Sequence, residues 1–228
     1  MSTKQEALAK IDGANEALSS SIVGKALLDG GLSLIPGVGA ALVSALDSRA
    51  FKLYEENSRR LVEELRSEYE QIQEDKLDRE FIESDEFVSI LLETVVRNSR
   101  THEKEKTRLF ARAFASFSSQ DYSSIPHKEG FLEIIERLSF DHARAMALIH
   151  KCSLEPLAEN QNTKVVTAVL LAGKLRRKQS HVEAWCEQLA RYGLIKDARL
   201  GTYQYEPGQY EITIYGREFA EFLGDLDL

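Results

Sequence analysis

Cysteine and proline are scarce in this chain, 2 and 4 residues out of 228. Two cysteines, Cys152 and Cys186, provide no disulfide framework. Each sits among apolar residues on a segment that reads as helix, Leu148 and Ile149 near one, Trp185 and Leu189 near the other. Both are therefore expected to be buried thiols in a reducing compartment. So few prolines, with 13 glycines and 29% charged residues, exclude a disordered chain and favour helices. Catalytic signatures are also missing. No glycine-rich stretch matches a phosphate or dinucleotide fingerprint, and Gly37-Val38-Gly39 is a fragment of an apolar run. There is no Gly-x-Ser-x-Gly elbow. The nearest histidine–cysteine pairs are His150 with Cys152 and His181 with Cys186, and neither has the spacing of a closed zinc site. No enzyme, metal, cofactor or small-molecule substrate is expected. The opening MSTKQEALAK lacks a basic stretch followed by an apolar core, so no signal peptide is expected and the location reads as cytoplasmic.

Positive charge is in deficit. The formal net charge is -8 and the sequence pI about 5.3. Such a chain repels phosphate backbones unless it carries a local basic patch. Charge runs such as Glu63-Glu64 and Glu103 to Lys106 read as solvent-facing.

Against this charged background one run stands out: Gly30 to Leu46, GGLSLIPGVGAALVSAL. It is uncharged and must be buried against protein or lipid. At 17 residues, with Pro36, four glycines and flanking Asp29 and Asp47, it is a poor membrane-spanning helix. It reads as an apolar helical hairpin over residues 20–47, with Pro36-Gly37 breaking its two arms. Its candidate membrane- or partner-binding residues are Leu28, Leu32, Leu34, Ile35, Pro36, Val38, Leu42 and Val43. Full burial of such side chains releases roughly 1.5–3 kcal/mol each, in a protein core or in lipid alike.

The flanking sequence is helical. Thr3 with Glu6 forms a capping-box pattern opening a helix through about Leu18. Residues 50–73 form one long amphipathic helix, with Phe51, Tyr54, Leu61, Leu65, Tyr69 and Ile72 at helical spacings. Two readings of that stripe stand: a core-facing helix, or a coiled-coil dimer seam interrupted by Ser58 and Glu68. Ser84 caps a helix bearing Phe87, Ile90, Leu91 and Val95. Thr101 opens another through about Phe117, with Leu109, Phe110, Ala113 and Phe114 inward. Ser118 to Pro126 reads as a polar loop, and Gly130 to Arg137 as a helix. Ser139 caps the next helix, through about Lys151, and Cys152 to Asn162 reads as a linker.

Beyond the linker the pattern is a helix over Lys164 to Leu175, a basic turn Arg176-Arg177-Lys178, and Ser180 as a cap. A helix from His181 to Tyr192 then ends at Gly193. Strand-like segments Leu194 to Arg199 and Gln209 to Ile214 follow, and Tyr215-Gly216 leads into a final helix, Arg217 to Leu223. This order, with "LARYGLI" and "YEITIYGREFAEFL", resembles a winged helix-turn-helix. The resemblance rests on Leu189, Gly193, Leu194, Ile195, Tyr210, Ile212, Thr213, Gly216 and Phe219. It implies a recognition helix ending at "LARYGLI" and a wing over Ala198 to Tyr210. The candidate nucleic-acid contacts are Lys174, Arg176, Arg177, Lys178, Gln188 and Arg191. Against them stand Glu183 and Glu187, and nine basic residues matched by nine acidic ones from Gln161 onward.

Taken whole, the chain resembles the Abi-alpha type of bacterial proteins linked to abortive phage infection. The likeness lies in "LIPGVGA", the long charged helix, "SDEFVSILLETVVRNSRTHEKEKTRLFARAF", "LSFDHARAMALI" and the C-terminal unit. It implies a cytoplasmic bacterial protein of anti-phage defence.

The expected fold is mainly α: a helical domain over residues 1–138, bundled around the long helix and the hairpin, then a winged-helix-like α/β domain over 139–228. The function read from it is a non-catalytic interaction or effector protein of anti-phage defence. It would engage a protein partner or itself, or sit peripherally at the inner membrane through the hairpin. The alternatives are a winged-helix DNA-binding regulator and a purely structural adaptor.

Overall fold

The computed structural model describes residues 2–20, 40–154, 165–198 and 208–224; residues 15, 17–20 and 40–51 are described as backbone only. The described residues are mainly helical, with ten α-helices and one small three-stranded antiparallel sheet. They divide into two compact units, Met1–Glu136 and Arg137–Leu228. None of the described helices is long and apolar enough to cross a membrane. The first arm and the Pro36-Gly37 break of the expected hairpin lie outside the described residues.

In the first unit, α1 (Thr3–Ser20) opens one residue earlier than the Thr3–Glu6 box implies. The reciprocal pair is Ser2 and Gln5: Gln5 N donates to Ser2 Oγ at 3.2 Å and Ser2 N to Gln5 Oε1 at 3.1 Å. Glu6 N instead donates to the Ser2 carbonyl, the first intrahelical bond. Helix α2 (Ala40–Gln71) is continuous, so the hairpin's expected second arm and the long helix are one element. Alanine, leucine and charged residues fill it without a proline or glycine to break it. Its inner stripe is Tyr54, Ser58, Leu61, Val62, Leu65, Glu68 and Tyr69, all buried within this chain. The two polar interruptions are thus core residues, and a dimer seam through Tyr54 to Tyr69 is excluded because those side chains are already covered.

The covering elements are α1, α4 (Asp85–Ser99) and α5 (Lys104–Phe117), the last most extensively. Ser84 caps α4, accepting from Phe87 N at 3.2 Å. Phe87 packs edge-on against Phe81 of α3 (Arg79–Glu83) and Phe114 of α5. Helix α5 starts later than expected. Asn57 Nδ2 donates to the carbonyls of Ser99 and Thr101 at 3.4 and 3.1 Å, which holds that stretch out of the helix, and Glu103 becomes the N-cap. Lys106, expected in a solvent-facing run, is only 7% exposed; its ammonium donates to the Glu136 carbonyl at 2.6 Å. Burial pushes that ammonium's pKa down. The polar loop after α5 is packed rather than loose. Ser118 is buried, Tyr69 and Ser118 hydroxyls meet at 2.5 Å, and Asp78 N donates to Ser118 O at 2.8 Å. Helix α6 (Lys128–Arg137) closes the unit, with Phe131, Leu132, Ile134 and Ile135 buried.

The second unit begins with α7 (Phe140–Leu154), so Cys152 to Leu154 are helical rather than linker, and residues 155–164 lie outside the described set. The expected Lys164–Leu175 helix is in fact a short strand, β1 (Val166–Thr167), and a shorter helix, α8 (Ala168–Leu175). Two causes combine. Val166 and Thr167 are β-branched, and Thr167 Oγ1 accepts from Leu170 N at 3.3 Å, making Thr167 the helix cap. Helix α9 (Gln179–Arg191) is preceded by Lys178 at the N-cap, not Ser180. Strands β2 (Ile195–Asp197) and β3 (Gln209–Ile212) complete a sheet of order β1-β3-β2. β3 pairs antiparallel with both neighbours, Val166 opposite Tyr210 and Ile195 opposite Ile212. The final helix, α10 (Ile214–Leu223), takes in Tyr215 and Gly216, which were expected to precede it. Residues 199–207, including most of the expected wing, lie outside the described set.

Candidate functional site

Leu28, Leu32, Leu34, Ile35, Pro36 and Val38 lie outside the described residues, while Leu42 and Val43 fall on the backbone-only part of α2. The site that geometry builds is in the second unit, around the turn between α8 and α9.

That turn is held by its backbone. Arg176 takes a left-handed conformation, φ 53° and ψ 47°, as the C-cap of α8. Arg177 N donates back to Ala172 O at 3.0 Å, closing the helix end. A non-glycine residue here bears a cost of about 1–2 kcal/mol that glycine avoids. The chain then enters α9 at Lys178, whose side chain makes no capping bond. Lys174, Arg176, Arg177 and Lys178 are all exposed. Arg177 is committed: its guanidinium reaches Asp141 in the first turn of α7, at 3.2 and 3.3 Å. Asp141 also faces Arg144 at 3.7 Å. Lys174, Arg176 and Lys178 form no ion pair with a described residue.

Gln188 and Arg191 are exposed on α9, but at its far end, about 15–20 Å along the axis from Lys178 at 1.5 Å per residue. The six candidate nucleic-acid residues are therefore not one patch. Four share the turn and two lie apart. The outward face of α9 between them carries Ser180, Ala184 and Glu187, with Glu183 half-buried and accepting from Gln179 Nε2 at 2.8 Å.

The inner side of α9 fixes this surface. Val182, Cys186 and Leu189 are buried. The Cys186 thiol is pushed up to about 12, first by burial and then by Glu183, so it is not a thiolate near neutral pH. Burial likewise raises the Tyr210 phenol. Trp185 lies beside His142, ring centroids 5.9 Å apart, and His142 Nδ1 meets Ser139 Oγ at 2.6 Å. Both cysteines are buried and unbridged. Among the described residues no group of three His, Cys, Asp or Glu could hold a metal ion.

The far end of α9 is equally built. Gly193 has φ 70°, Gly193 N donates to Ala190 O at 2.9 Å and Leu194 N to Leu189 O at 3.0 Å, a complete Schellman closure. Thr213 ties this corner to α10. Its hydroxyl donates to Gly193 O at 2.6 Å and accepts from Gly216 N at 2.9 Å.

Asp141 reads in the sequence only as a first-turn acid of the helix that Ser139 caps; its pairing with Arg177 is not legible there, because 36 residues separate the two. Neither local spacing nor composition carries that pairing. Comparison with protein-family models, with curated proteins and with solved structures gives no match to this chain.

Proposed function

We propose that this chain is a non-catalytic interaction protein, an effector of bacterial anti-phage defence, whose second unit is a winged-helix-type docking module. The observation that carries the module reading is the order α7, β1, α8, α9, β2, β3 with β3 central in the sheet. That order would make α9 the presented helix and 198–210 the wing. Support for a protein partner comes from the α9 surface, where Glu187 and Ala184 stand between the basic turn and Arg191. Duplex-reading helices are clearly positive by comparison. The defence role rests on the Abi-alpha resemblance in "LIPGVGA" and the segments after it. In the same reading, Gly30 to Leu46 supplies an apolar element that seeks lipid or a partner when released.

The test is liposome co-flotation of the purified chain beside a Leu34→Asp/Val38→Asp variant. Flotation by wild type and not by a folded variant is the expected result. A folded variant that still floats, or still acts on infected cells, removes the membrane arm.

The second reading is a DNA-binding regulator, favoured by the exposed Lys174, Arg176 and Lys178. It predicts salt-dependent duplex binding that Arg176→Ala with Arg177→Ala abolishes. No duplex binding at low salt would remove it.

A further inference from the structure

The turn between α8 and α9 combines an unfavourable backbone position with three cations that no described residue pairs. Among the described residues Arg176 is the sole non-glycine with positive φ. The corresponding position at the end of α9 is filled by Gly193, which adopts φ 70° freely. A long cationic side chain thus occupies a place where glycine fits without strain, and packing does not explain it, since the residue is exposed and forms no ion pair with a described residue. Residues held in such conformations cluster where a surface is used. Lys174 and Lys178 flank it, also exposed and without an ion pair to a described residue. Arg177, between them, is drawn away to Asp141, and that ion pair ties the turn to α7.

We infer that this turn is a docking site for a short acidic peptide segment of a partner protein. The Arg176 guanidinium receives a carboxylate through two parallel N–H donors, and Lys174 and Lys178 act as flanking point charges. The inference rests on the docking-module reading and gives its partner a chemistry. Acidic peptide is favoured over nucleic acid because the cations stop at the turn. Along α9 the next exposed cation is Arg191, and Glu187 lies before it. A phosphate backbone following the helix would meet that carboxylate, whereas a compact acidic segment need only cross the turn. Charge balance agrees, because residues 137–228 hold 12 basic and 12 acidic residues, so positive charge is local to the turn and does not extend along the length of a nucleic-acid backbone.

The experiment is fluorescence anisotropy of the full chain with a labelled polyglutamate peptide and, separately, a labelled DNA duplex at equal ionic strength. Arg176→Gly removes the side chain while leaving a residue suited to the backbone. It is expected to weaken peptide binding about fivefold, with Arg176→Lys in between and the thermal midpoint not lowered. Unchanged peptide binding by Arg176→Gly overturns the inference, as does absence of peptide binding or tighter binding of the duplex. The midpoint separates the two failures. If Arg176→Gly melts lower, the left-handed turn is wrong and the inference falls with it; if the midpoint holds while the peptide fails, only the acidic partner falls, and the docking-module reading, carried by the element order, stands.

Discussion

At the scale of single residues, Gly216 is the tightest constraint in the second unit. A Cβ built there would lie 1.8 Å from the Leu194 carbonyl oxygen and 2.6 Å from its carbon. Backbone, not a flexible side chain, stands in the way, so α10 must shift to make room. Gly216→Ala is expected to destabilise the unit by roughly 3 kcal/mol, measured by chemical unfolding. A fall under about 0.5 kcal/mol would mean that α10 does not press on Leu194. The glycine is visible in the sequence within "IYGREF", where it reads as a lead-in to the helix; in the structure it lies inside α10. Nothing local marks a close approach to a carbonyl 22 residues away. Thr213 has the same lesson. Its hydroxyl serves two glycines, Gly193 and Gly216, that only the fold brings together.

At the scale of elements, caps decide where helices begin, and caps are short-range enough to be read in part. Ser84 was legible because its hydroxyl acts on Phe87, three residues on. Asp78 illustrates a cap with a tertiary supplement. It caps α3 by accepting from Phe81 N at 3.1 Å, and Ser123 donates to its other oxygen at 2.5 Å. The Ser123 hydroxyl holds the Asp78 carboxyl below its ordinary range, opposed by some desolvation and aided by the Phe81 amide. A depressed carboxyl contributes stability that is complete above the unfolded value, about 3.9, and is lost as pH falls through the lower folded value. Asp78→Asn keeps a capping oxygen but not the charge, so it should flatten the loss of stability as pH falls below about 4, and cost about 1 kcal/mol near neutrality as a charge-assisted hydrogen bond becomes a neutral one. Urea unfolding across that range checks both, and a parallel pH profile for the variant would remove Asp78 from the account. Strand β1 is the element that the sequence concealed. Two β-branched residues before an apolar helix suit the first turn of a helix as well as a strand, and pairing with β3 settled the matter.

At the scale of the whole molecule, the chain divides into two compact units that differ in charge. Residues 137–228 are balanced, so the net charge of -8 belongs entirely to residues 1–136. Gly216→Ala offers a test of that separation. Hydrogen exchange should rise in α7, α9 and α10 while amides of α2, α4 and α5 keep their protection. Equal deprotection of both units would mean one cooperative core. The same scale bears on self-association. The stripe that resembled a dimer seam is spent inside the first unit, on α4 and α5. A dimer of this protein would need another surface.

What the sequence determined by itself was whatever acts over a turn or two of chain: helical content, the α4 cap, the glycine closing α9 and the basic turn at Arg176 to Lys178. Hydrophobic spacing and local hydrogen bonds set these before any long-range contact forms. Only the tertiary structure decided which charges remain available. Lys106 is buried on Glu136 O, Glu68 is buried in the α2 stripe, and Arg177 is taken by Asp141, leaving Lys174, Arg176 and Lys178 outward. Charge pairing depends on distance in space, and residues 30 to 40 positions apart in the chain acquire that distance only when the helices pack.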